Sequence, residues 1–189
     1  MEARVSQPTP TPTAHPPTGV WLIGARGSVA TTTVAGCAAL AAALQPPTAL
    51  VTAAPAFADS GLPPLSRLVF GGHDTAATPL PKRAEDLAAQ GVLPAWLPAA
   101  VHGDLAAADD RIRPGAPAGD PRADDAVIDA LAADITAFTR TAGAARTVVI
   151  NVASTEPAPT GDALPPSSLY AAAALRAGCA YVNFTPSAG

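Results

Sequence analysis

The sequence predicts an α/β fold, doubly wound around a mostly parallel sheet, and three observations carry that expectation. Short apolar runs alternate with longer stretches of helical character, a succession that favours strand-helix-strand units with parallel pairing. The first run, Val20-Trp21-Leu22-Ile23, stops at Gly24 and is followed by a long stretch of small residues. The 189 residues are 49% hydrophobic, ample for one buried core and short for two.

Residues 1 to 18 carry Pro8, Pro10, Pro12, Pro16 and Pro17 among threonines and other polar residues, so this leader is expected to be disordered and residues 19 to 189 to form one domain. Val20-Trp21-Leu22-Ile23 has no helical period and reads as a fully buried strand. A helix is expected from Ser28, a plausible N-cap, to Leu44, closed by Pro46-Pro47. Ala49-Leu50-Val51-Thr52 reads as the second strand, and Leu68-Val69-Phe70 before Gly71-Gly72 as the third. Residues 81 to 90 and 97 to 109 have helical character, and 110 to 121 is a Pro/Gly/Asp-rich loop. In the helix expected over 122 to 142, Val127, Leu131, Ile135 and Phe138 recur at helical spacing and define its buried face. Strands over 147 to 150 and 180 to 184 then flank a helix over 167 to 177.

The charge balance removes several function classes. Charged residues make up 14% of the chain and the formal net charge is -4, which leaves no basic field for nucleic acid or an anionic membrane surface. Cys37 and Cys179 form no CxxC pair, so a reduced, cytoplasmic setting is expected, and His15, His73 and His102 lack metal-ligand spacing and read as surface or packing residues. Val34-Ala35-Gly36-Cys37 has the look of a lipoprotein cleavage box. The long proline-rich start before it, with Glu2, and the threonines at 31 to 33 favour a buried helix instead. The acid pairs Asp109-Asp110 and Asp124-Asp125 flank a loop and a helix start, where a structural role is expected.

A dinucleotide site of the Rossmann type needs a strand that ends abruptly, a turn whose backbone approaches a pyrophosphate, and a helix that aims free N-H groups at the anion. Gly24-Ala25-Arg26-Gly27-Ser28-Val29-Ala30-Thr31-Thr32 supplies these in order. Gly24 suits the tight turn, Gly27 the close approach, and Ala30 the packing of helix on sheet. Ser28, Thr31 and Thr32 offer hydroxyls to phosphate oxygens. The GxGxxG spelling is absent, since Arg26 and Val29 stand at the second and third glycine positions, and a glycine turn before an ordinary core helix is the competing reading. The run at 49 to 52 ends without the acid that usually holds the adenosine ribose, and Asp74 is the nearest substitute. Asn151 and Ser154 close another strand, at the end that faces the ligand crevice in open α/β sheets.

Four segments, GARGSVATTT at 24 to 33, FGGHDTA at 70 to 76, NVASTEP at 151 to 157 and AYVNFTPS at 180 to 187, resemble the myo-inositol-phosphate synthases, particularly the bacterial forms. The resemblance runs from about Gly19 to the last residue. It implies NAD as a cofactor that is reduced and reoxidised within one turnover, an isomerase that converts glucose 6-phosphate to inositol 3-phosphate for inositol and phospholipid biosynthesis, and homo-oligomers of the full-length protein. Carried over by position, Gly24, Ala25, Arg26, Gly27, Ser28, Val29, Ala30 and Thr31 would hold the pyrophosphate and Asp74 the adenosine end. Ala153, Ser154 and Thr155 would lie beside the nicotinamide half, with Asn183 and Thr185 near it. Where this chain has Arg26 the family often has glycine, which leaves its guanidinium either out in solvent or directly on a phosphate. The family's chain is about twice as long, and the resemblance places the substrate pocket and catalytic lysines in the half not found here. Lys82, after Pro81, reads as a solvated surface residue, so no catalytic residue is expected in this chain and it is expected to bind NAD without completing the reaction. The alternatives are a noncatalytic nucleotide-binding module and a fragment of another NAD-dependent dehydrogenase.

Overall fold

Alternation along one strand sets the two layers of the molecule. The structure is a computed structural model that describes residues 15–117, 119–156 and 164–185. Strand β1, Thr18–Ile23, is buried at every position. Val20 and Leu22 face one apolar cluster while Trp21 and Ile23 face another, as the two-residue period of a strand requires. β1 is paired on both sides. Strand β2, Leu68–Asp74, runs parallel to it with Thr18 opposite Leu68, and β4, Arg146–Asn151, runs parallel on the other side with Thr18 opposite Arg146.

Two further strands, β3 at Ile112–Pro114 and β5 at Ala180–Asn183, complete a five-stranded parallel sheet in the order β3-β2-β1-β4-β5. This is the order of the first five strands in doubly wound dinucleotide folds. Helices α1 at Ser28–Ala41, α2 at Leu80–Ala89, α3 at Leu97–Ala100 and α4 at His102–Asp109 contribute Ala30, Val34, Leu80, Leu97 and Leu105 to the cluster around Val20 and Leu22. Helices α5 at Asp124–Thr141 and α6 at Pro166–Arg176 cover the opposite face, where Val127, Leu131, Ile135 and Phe138 are all buried as their spacing predicts.

Several expectations are corrected. Residues 49 to 52 form no strand: Val51–Ala53 is a short 3-10 turn, Ala49 has a φ of 60°, and the segment is exposed apart from half-buried Leu50. The place beside β1 goes to Leu68–Asp74, which is long enough to match all six of its residues. The second strand of the sheet therefore ends at Asp74. The helix expected to reach Leu44 ends at Ala41, and Gly27 rather than Ser28 is its N-cap. The stretch 97 to 109 is broken at Val101, whose φ of -114° and ψ of 19° are not helical. The loop expected over 110 to 121 contains β3, which pairs with Gly72, His73 and Asp74. The expected leader over 1 to 18 lies mostly outside the described residues, and Thr18 already belongs to β1.

His73 is a packing residue, fully buried on β2 where the sheet meets α5. The Trp21 indole donates to its Nδ1 at 3.0 Å, and its Nε2 lies 3.2 Å from Asp134 Oδ2 on α5. Among the described residues no helix is long and apolar enough to cross a membrane, and no group of His, Cys, Asp and Glu is placed to hold a metal ion.

Candidate cofactor-binding site

The carboxyl ends of β1, β2 and β4 open into one cleft of about 730 Å³, a size suited to a sizeable organic ligand. It lies where the sheet order reverses, since α1 leaves β1 toward one face and α5 and α6 cover the other.

Gly24 turns the chain out of β1 with a φ of 77°, and a Cβ there would sit 2.8 Å from Ala153 Cα, so the position excludes a side chain on two counts. Its N-H and that of Ala25 both donate to the His73 carbonyl, at 3.0 and 3.2 Å, which ties the turn to β2. The Arg26 N-H donates to Asp74 Oδ2 at 2.6 Å, and the Gly27 N-H returns to Gly24 O at 2.9 Å. These bonds hold the turn in shape without a ligand.

The start of α1 is different. The Gly27 carbonyl accepts from Thr31 N at 2.9 Å, but no side chain caps the helix and no acid sits in its first turn. Among the described residues no hydrogen bond uses the N-H groups of Ser28, Val29 or Ala30. Ser28 and Val29 line the cleft, so two of these donors and the positive end of the helix dipole face it.

A second helix that starts at the cleft, α6, is closed. Glu156 accepts from Ser167 N at 2.9 Å and also from the Ser167 hydroxyl, and Ser168 and Leu169 donate to the Pro165 carbonyl. One end of the cleft thus offers an anion site, while the other is neutralised by the protein's own carboxylate.

A family model described as myo-inositol-1-phosphate synthase, an NAD-binding domain, matches residues 18–189. The chain belongs to this family. The cofactor of the synthase domain is NAD. A crystal structure of inositol-3-phosphate synthase from Caenorhabditis elegans has the same fold, with a TM-score of 0.67 and 17% identity, over 90% of this chain and 44% of that one. The synthase domain thus spans less than half of that protein's length. No curated protein sequence matches it.

The synthase cleft brings together many of the expected residues. Gly24, Arg26, Gly27, Ser28, Val29, Asp74, Ala153, Ser154 and Thr185 line it. Ala25, Ala30 and Thr31 are buried beneath the turn and support it from below. The Thr31 hydroxyl donates to Gly27 O and that of Thr32 to Ser28 O, so neither is turned to a phosphate as the sequence suggested. Thr155 and Asn183 are exposed and do not line the cleft; the Asn183 side chain accepts from Thr185 N at 3.1 Å.

Arg26 takes neither position that the sequence left open. Its Nε and Nη2 donate to the two carboxylate oxygens of Asp109, at 2.9 and 3.1 Å, and Nη1 donates to Ala76 O at 3.0 Å. Lys82 points away from the cleft toward Glu85 and Asp86.

Sequence reasoning missed Arg83 on α2, which lines the cleft and donates from Nη2 to Ser28 Oγ at 2.7 Å, beside the open amides. It also missed Tyr170, whose hydroxyl accepts from Ala116 N at 2.8 Å; burial pushes this phenol up to about 12. Asn151 is buried at the end of β4, and its Oδ1 accepts from Ala153 N at 3.1 Å, which fixes the loop against which Gly24 packs.

Proposed function

We propose that this chain is the NAD-binding part of an inositol-3-phosphate synthase of bacterial type, whose full-length protein converts glucose 6-phosphate to inositol 3-phosphate. The family match over residues 18–189 supports the class, and the uncapped start of α1 at the cleft is the observation that carries the binding mode. The residues present fit a dinucleotide. The Ser28 and Val29 amides receive the pyrophosphate, and Gly27 keeps the approach clear of any side chain. Arg83 adds a cation at the same place, with no ion pair to a carboxylate among the described residues.

Asp74 holds the adenosine ribose from the end of β2, where such folds carry an acid. Each of its oxygens accepts one backbone N-H, from Arg26 and Ala76, and keeps a further lone pair for a ribose hydroxyl. Ala153 and Ser154, positioned by Asn151, lie beside the nicotinamide half, with Thr185 nearby. NAD held there would supply a hydride acceptor and donor, so that the overall conversion would need no external redox partner. The sugar-binding and proton-transferring groups belong to the rest of the synthase.

Titration of the 189-residue chain with NADH and with ATP tests this reading: saturable NADH binding stronger than that of ATP is expected. Equal affinity for both would favour a general nucleotide module. A protein that joins this domain to the remainder of a synthase is expected to form inositol phosphate from glucose 6-phosphate without net accumulation of NADH.

A further inference from the structure

The arginine in the glycine turn makes contacts that a pyrophosphate does not require. Arg26 and Asp109 form a bidentate pair whose side chains are only 19% and 17% exposed, so water competes weakly for either. The remaining nitrogen, Nη1, donates to Ala76 O, in the loop directly after Asp74. The guanidinium therefore lies by the end of the cleft where Asp74 meets the ribose. The second arginine lining the cleft, Arg83, donates to Ser28 Oγ, on the first turn of α1.

An arginine near the end of the second strand is the usual means by which such folds accept a 2′-phosphate on the adenosine ribose. Here that arginine is engaged. Asp109 ends α4, does not line the cleft, and is further fixed by accepting Leu80 N at 3.0 Å. An entering 2′-phosphate would meet the Asp74 carboxylate while the Arg26 guanidinium stays held by Asp109. To recruit Arg26 it would have to leave the part-buried Asp109 carboxylate without its counter-ion.

We propose that Asp109 is a specificity-determining residue acting through Arg26: by holding both sides of the guanidinium fork it keeps the ribose end of the cleft selective for a cofactor without a 2′-phosphate. This inference rests on the NAD site described above. It concerns a residue outside the cleft, so its removal alters selectivity without deleting a cofactor contact.

The test is fluorescence titration of NADH and NADPH into the 189-residue chain and into Asp109→Asn, which keeps the volume and an oxygen for the Leu80 N-H. The NADPH-to-NADH affinity ratio is expected to rise about tenfold, the scale of one charge-assisted hydrogen bond gained. The rise is expected to vanish when Arg26→Gln is added. Asp109→Ser, which also keeps an oxygen, carries the same expectation if the asparagine variant melts below the working temperature. A purely structural role would lower both affinities together. Intact NADH binding with an unmoved ratio overturns this inference alone, whereas a wild-type chain that binds neither cofactor overturns the NAD site and this inference with it.

Discussion

The Nδ1 of His73 accepts the Trp21 indole N-H, so the ring's proton sits on Nε2, directed at Asp134. Protonating Nδ1 would set two N-H groups against each other.

Burial is the main cause that pushes the His73 imidazole below its ordinary value, and Arg113 acts in the same direction. Asp134 pulls the other way, but its side chain is 40% exposed and its charge is screened by water. A group with a lowered folded pKa binds its proton more readily in the unfolded chain. Its contribution to stability is thus complete above about pH 6.5, the unfolded value, and is lost as the pH falls below it. Melting temperatures between pH 8 and pH 5 are expected to drop more steeply for the wild type than for His73→Gln. Parallel curves would contradict the buried neutral ring. His73→Ala, which strands the indole N-H and leaves a cavity, is expected to cost about 2–4 kcal/mol in denaturant unfolding at pH 7.

Ser28→Asp separates binding from folding. A carboxylate in the first turn of α1 complements the helix dipole and is expected to stabilise the chain by about 0.3–1 kcal/mol. The same charge occupies the place assigned to pyrophosphate. NADH affinity measured by fluorescence should fall by about a hundredfold or more while the melting temperature holds or rises. Undiminished binding would remove α1 from the site.

Gly24→Ala tests the turn itself. The left-handed backbone costs about 1–2 kcal/mol for any L side chain, and the new Cβ would meet the backbone of Ala153. Urea unfolding is expected to show a loss larger than that strain alone. NADH binding, measured where the variant is still folded, should weaken as the Ala153 loop is displaced.

Arg83→Gln removes the cation on Ser28 from a half-buried position. NADH binding is expected to weaken about tenfold with little change in melting temperature, because charge-assisted hydrogen bonds to a phosphate are worth about 1.5–3 kcal/mol. A change confined to stability would assign Arg83 to packing instead.

How much of this was legible in the sequence follows from the range of the interactions. The four-residue run after Gly19 and the Val127-Leu131-Ile135-Phe138 spacing are local patterns, and both specify buried elements correctly. The run at 49 to 52 has strand-forming residues but finds no ladder, because pairing with β1 is decided by competition, and Leu68–Asp74 matches more of it. That miscount hid the ordinary position of Asp74 at the end of the second strand. The turn of Thr31 and Thr32 back to carbonyls four residues earlier was foreseeable, since helical threonines favour that bond. The partner of Arg26 was not: Asp109 reaches it only through the packing of α4 beside α1 and α2, which no local pattern encodes.

The central position of β1 also governs the order in which the molecule can assemble. Its neighbours on both sides come later in the chain, and one flank is not covered until Arg146–Asn151 has been made. At about 5–20 residues per second, the Val20-Trp21-Leu22-Ile23 segment waits on the order of ten seconds at the ribosome with its greasy edge unshielded. Slow translation should therefore raise, not relieve, the tendency of the nascent polypeptide to aggregate.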